Sequence, residues 1–99
     1  MDPSQWSDPE TISSTHTING ALIELRYSPS TQCAWGRISG GAQFASVTVY
    51  RIRDAVITQH IGSSGYTPAL DDAGTQVQVC GKNDYRDQNG ADSRCTVDF

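Results

Sequence analysis

Ala21-Leu22-Ile23-Glu24-Leu25-Arg26-Tyr27 decides the class of this fold. Its odd positions are apolar while Glu24 and Arg26 point the other way, the period of two that a half-buried strand imposes on its side chains. Asn19-Gly20 just before it is a turn signal. Behind it, Ser28-Pro29-Ser30-Thr31 breaks the pattern, and Cys33-Ala34-Trp35-Gly36-Arg37-Ile38 resumes as a second strand that folds back as a hairpin. Cys33, Trp35 and Arg37 share a parity. Antiparallel pairing then sets Arg37 at the sheet edge or against an acidic partner such as Glu24.

The same reading extends outward. Past Gly40-Gly41, the run from Val47 to Arg53 alternates but changes parity between Val49 and Tyr50, which is read as a bulge rather than a strand buried on both faces. Asp54 is a turn residue, and the β-branched run from Ala55 to Ile61 completes a hairpin with the strand before it. Residues 62–74 read as loop, with a turn at Gly65-Tyr66-Thr67-Pro68. Thr75 to Val79 alternates with Gln76 and Gln78 toward solvent, and Cys95 to Phe99 alternates with Cys95, Val97 and Phe99 inward.

Residues 1–18 carry Pro3 and Pro9 and show neither period, so they are expected to form an irregular arm anchored by Trp6, with residues 19–99 as a single β domain. No segment repeats apolar residues at helical spacing behind a capping residue. The expectation is therefore an all-β domain, a small antiparallel β-sandwich or barrel of about six short strands.

Composition bounds the function. At 99 residues there is room for one modest core, and only 36% of the residues are apolar. A net charge of -4, from 7 basic and 11 acidic residues, opposes attraction to phosphate backbones and anionic membrane, which argues against a nucleic-acid partner. The longest apolar run, Ala21-Leu22-Ile23, is far short of the roughly 20 residues that cross a bilayer. Residues 1–20 lack the basic start and apolar middle of a signal peptide, so an exported form has had its signal removed.

Three cysteines have no C-x-x-C pair and no histidine at zinc-ligand spacing. Cys80 and Cys95 bracket a polar loop, and a disulfide between them would stabilise by about 3 kcal/mol through chain entropy. Cys33 is then the odd, unpaired thiol. Three buried thiols in a cytosolic chain are the competing reading.

Glu24-Leu25-Arg26-Tyr27-Ser28-Pro29 followed by Cys33-Ala34-Trp35-Gly36-Arg37-Ile38 resembles the pattern of a bacterial family catalogued as domain of unknown function twenty-six ninety. Val47-Thr48-Val49-Tyr50, Tyr66-Thr67-Pro68 before Asp71-Asp72-Ala73-Gly74, and the late cysteines Cys80 and Cys95 continue the likeness, which spans Ile23 to Thr96. The resemblance implies a small extracytoplasmic domain of Gram-positive bacteria, with no assigned activity. It also implies a cysteine ahead of the first strand able to pair with Cys33, and residues 2–20 contain none.

Catalytic constellations are sparse. His16 and His60 are the available bases, and neither Cys33 with His60 nor a Ser, His60 and Asp set has a local motif behind it. His60 reads as a solvent-facing strand residue. There is no phosphate loop, zinc histidine pair or basic aromatic stripe. Asp84, Asp87, Asn89 and Asp92, with Asn83, gather oxygen ligands around Gly90 and are weak calcium candidates that fail the EF-hand spacing. Arg26, Tyr27, Trp35, Arg37 and Tyr66 are the candidate binding surface, with Trp35 also suited to filling a small β core beside Cys33.

These features point to a secreted, monomeric, non-catalytic module without cofactor. Its partner would be a protein or cell-envelope component met by loops such as 63–73 and 83–92. The alternatives are an inhibitor of a secreted hydrolase acting through the Cys80 to Cys95 loop, and an enzyme using His60.

Overall fold

A computed structural model describes residues 9–17, 20–71, 76–84 and 93–96. They form two antiparallel sheets packed face to face, an all-β sandwich. The strands are β1 (Glu10–His16), β2 (Leu22–Ser28), β3 (Cys33–Ser39), β4 (Ser46–Arg51), β5 (Val56–Ile61), β6 (Gly65–Tyr66), β7 (Leu70–Asp71), β8 (Val77–Lys82) and β9 (Arg94–Cys95). The first sheet runs β1-β2-β3-β6, with β7 also on β3, and the second runs β5-β4-β8-β9. No helix among the described residues is long and apolar enough to cross a membrane.

The strand that opens the analysis forms as its alternation requires. Ile23 and Leu25 face inward with no exposed surface, and Ala34 and Ile38 of β3 join them. Val47 and Val49 of β4 and Val77 and Val79 of β8 close the core from the other sheet. Burying each such side chain contributes about 1.5–3 kcal/mol, so this one layer dominates the stabilisation. The layer is thin because β3 offers Gly36 at its centre. A Cβ built there would lie 2.8 Å from Val47 and 2.9 Å from Val79, so the sheets approach each other where a side chain is missing.

Both long hairpins turn over four residues, 29–32 and 52–55, and each turn ends on a non-glycine residue in the left-handed region, Gln32 (φ 56°) and Ala55 (φ 58°). Arg51 and Asp54 clamp the second turn with paired bonds, Nε to Oδ1 and Nη2 to Oδ2, both 3.0 Å. Arg51 Nη1 also donates to the Asp71 carbonyl, linking this hairpin to the other sheet.

The hydrogen bonds from Arg51 hold the Asp54 carboxyl below its ordinary range, and the Arg51 guanidinium is raised in return. A depressed carboxylate stabilises the fold above its unfolded pKa, about 3.9, and the benefit is lost as pH falls through the folded value. The stability gap between wild type and Asp54→Asn is thus expected to be constant near neutrality and to shrink below about pH 4. Thermal unfolding of both proteins across that range checks it. The pair is exposed, so the gap is small.

Thr67 joins β3 to the connection after β6. Its backbone N–H donates to the Gly36 carbonyl at 2.8 Å, and the Gly36 N–H donates to its hydroxyl at 3.0 Å. Thr58 of β5 donates its hydroxyl to the Pro68 carbonyl at 2.8 Å. This span therefore ties the two sheets together.

Four expectations are corrected. There are nine strands rather than about six, because segments of two residues pair where periodicity has nothing to register. Residues 10–16, assigned to an irregular arm, are a strand: β1 pairs with β2, with a register shift between Thr11 and Ser13 that lets Ile12 pack on the core. An edge strand held by a backbone ladder needs no apolar alternation, so its sequence does not announce it. No bulge separates Val49 from Tyr50, since β4 pairs in continuous register with both β5 and β8. Cys95 is exposed and Thr96 is buried, the reverse of the expected parity. Trp6, Val97 and Phe99 lie outside the described residues.

Candidate functional site

The register gathers four of the five binding candidates on the outer face of the first sheet. Arg26 lies opposite Trp35, Glu24 opposite Arg37, and Arg37 opposite Tyr66. Tyr27 is corrected: its parity sends it to the inner face, where it packs on the core.

Glu24 organises this face. Its side chain is 10% exposed and lies 3.3 Å from Arg37 and 3.8 Å from Arg26. Thr11 donates to it at 2.7 Å and accepts from Arg26 at 2.6 Å. A carboxylate this covered needs such partners, because leaving it alone in a poorly hydrated place would cost several kcal/mol. The expected meeting of Arg37 with Glu24 therefore occurs. Trp35 is buried with Cys33 and Ala69 in a small cluster separate from the main core. Most of this set is accordingly structural, and Arg37 and Tyr66 are its accessible members.

The second sheet carries a hollow on its outer face. Tyr50, Arg51, Ile52, Ala55, Gln78, Cys80, Ser93 and Cys95 line an open depression of about 440 Å³. That volume falls in the range of small-ligand pockets. Pairing of Tyr50 with Gln78 and of Cys80 with Cys95 builds its floor from three neighbouring strands. The Cys80–Cys95 disulfide bridges β8 and β9 across the floor. Ile52 in the turn is half exposed at 51%, and Tyr50 at 38% stands beside it. Apolar surface from Ile52, Ala55 and the disulfide, beside the Tyr50 phenol, the Gln78 amide, Arg51 and Ser93, suits an apolar side chain or ring that carries a polar group.

Tyr50 and Ile52 escaped the sequence reading as site residues, although a signal was present. The parity change after Val49 puts an apolar side chain on a solvent face, and that is the mark of a contact surface when no bulge explains it.

Cys33 takes no part in the disulfide and is buried, its thiol 3.5 Å from the Thr31 carbonyl. His60 is half-buried rather than solvent-facing, and its Nε2–H donates to the Ser64 carbonyl at 2.9 Å. The ring lies against Gly65, at φ 142°, where any Cβ would collide with it. Of the calcium candidates, Asp84 is described, while Asp87, Asn89, Asp92 and most of the loop between Cys80 and Cys95 lie outside the described residues. Among the described residues no three His, Cys, Asp or Glu side chains converge.

Comparison of the chain with known protein families, with curated proteins and with solved structures finds no match.

Proposed function

We propose that this domain is an exported, non-catalytic binding module that seats an apolar side chain of a protein or cell-envelope ligand in the hollow on its second sheet. The observation that carries the reading is the hollow itself: exposed Tyr50 and Ile52 beside a floor braced by a disulfide. Rigid apolar surface with an aromatic rim is the usual form of an interface anchor point. A cross-strand disulfide accords with an oxidising compartment.

Titration of the isotope-labelled chain with indole, a probe of ring and N–H, tests the site. Amide shifts are expected to concentrate at Tyr50, Ile52, Gln78 and Ser93, and Ile52→Asp is expected to weaken binding at least about tenfold while the turn stays folded. Shifts centred on Arg37 and Tyr66, or unaffected by Ile52→Asp, would move the function to the first sheet.

A further inference from the structure

We infer that β5 pairs with β5 of a second copy of this chain, antiparallel about a two-fold axis at Gln59, joining two second sheets into one. Sheet edges present unpaired backbone groups, and folded chains normally blunt them with charge, proline, bulges or extreme shortness. The other described edges are blunted. β1 begins at Glu10 and carries a register shift, and β6, β7 and β9 are two residues each.

β5 has none of these devices. Val56-Ile57-Thr58-Gln59-His60-Ile61 contains no acid, lysine, arginine or proline, and its register with β4 is unbroken. Ile57 and Ile61 are 55% and 46% exposed.

The occupant follows from the register. Gly62 donates to the Ala45 carbonyl, so its partners at alternate positions, Val56, Thr58 and His60, turn their backbone groups toward β4. Ile57, Gln59 and Ile61 then turn theirs outward, and among the described residues no backbone bond satisfies them. An antiparallel dyad at Gln59 sets Gln59 opposite Gln59 of the second copy and Ile57 opposite Ile61 of the second copy. Every one of these is a hydrogen-bonded pair, so each outward N–H and C=O meets its complement. The same register covers the exposed isoleucines with each other on one face, beside Gln59, whose amide donates to Thr48 of its own β4 at 3.2 Å. A dyad at Thr58 or His60 would also pair outward-turned groups, Ile57 with Gln59 or Gln59 with Ile61, but would set exposed isoleucines against amides rather than against each other. Along the face shared by Ile57, Gln59 and Ile61 the strand is thus palindromic about Gln59, which an edge meant for an unrelated strand need not be.

Sedimentation equilibrium of the full chain from about 10 μM to about 1 mM tests the pairing. A monomer–dimer equilibrium is expected. Gln59→Lys, which opposes two ammonium groups at the axis, should raise the dissociation constant at least about tenfold, and Ile57→Lys should do the same. Ile52→Lys, in the hollow and off the edge, should leave it unchanged, which separates this inference from the binding site proposed above. In wild type the amides of Ile57, Gln59 and Ile61 should gain hydrogen-exchange protection with concentration, while those of Thr58 and His60 stay constant. That readout needs no variant to fold. A monomer at every concentration overturns the inference, as does a dimer that Gln59→Lys leaves intact. So does a monomer whose β5 amides become protected only on adding an extended peptide, which would assign the edge to another protein.

Discussion

Cys80→Ser with Cys95→Ser lowers the unfolding free energy by about 3 kcal/mol, the chain-entropy value for a closed loop of this length, 15 residues apart in sequence. Out of a typical total of about 5–15 kcal/mol that is a large share. The effect has a structural address. Among the described residues β9 is two residues long and pairs with β8 alone, through Cys80 with Cys95 and Gly81 with Arg94, while lying against β1. Thr96 extends the attachment by donating to the Val79 carbonyl at 2.8 Å and accepting from the Val79 N–H. Without the cross-link, those few bonds must carry the ordering of the whole preceding loop. Urea unfolding of the double variant checks the figure. Thermal unfolding with and without reductant should reproduce the difference in wild type and show none in the variant. A loss below about 1 kcal/mol would mean that the strand is held by its own ladder and that the bridge constrains little.

Gly36→Ala is expected to cost about 1–3 kcal/mol, the usual penalty of overpacking a closed core. The added methyl would meet Val47 and Val79 at distances that real Cβ atoms do not occupy, so the two sheets must part or both valines must rotate. Val47→Ala alone leaves a cavity and also destabilises. The double variant supplies the diagnostic. If Gly36 is required for sheet approach, the new methyl fills the space that Val47 vacates, and the double variant costs less than the sum of the two single costs by about 0.5–3 kcal/mol. Strict additivity in a double-mutant cycle would show that the glycine is not what sets the sheet spacing.

Much of this was legible in the chain itself. The alternation in Ala21 to Tyr27, the broken resumption from Cys33 to Ile38 and the run from Ala55 to Ile61 each mark a strand, because a pleat sends successive side chains to opposite faces whatever the rest of the molecule does. The meeting of Glu24 with Arg37 followed from parity and hairpin pairing, and the structure has it at 3.3 Å. The pairing of Cys80 with Cys95 followed from their bracketing of a polar loop.

Other features had no local sign. β1 is polar, and its strand state depends on a ladder to β2 and on Thr11 reaching Glu24, contacts between residues 13 apart. By contrast, residue type groups Tyr27 with Arg26, Trp35 and Arg37, although its parity with Ile23 and Leu25 already sets it on the apolar face, where the structure packs it on the core. Tyr50 and Ile52 became a site only when β8 and β9 were laid beside β4 and the disulfide closed the floor.

What the sequence by itself determined is the all-β class, the main hairpins and the cysteine bridge, because strand periodicity, turn chemistry and loop closure are encoded within a few residues of one another or in matched pairs. What only the tertiary structure decided is which face each side chain serves, where a hollow opens and which sheet edge is left unprotected. Those depend on the order in which strands lie side by side, and that order is set by the burial of one shared core, Ile23, Leu25, Val47, Val49, Val77 and Val79, drawn from three strands at once.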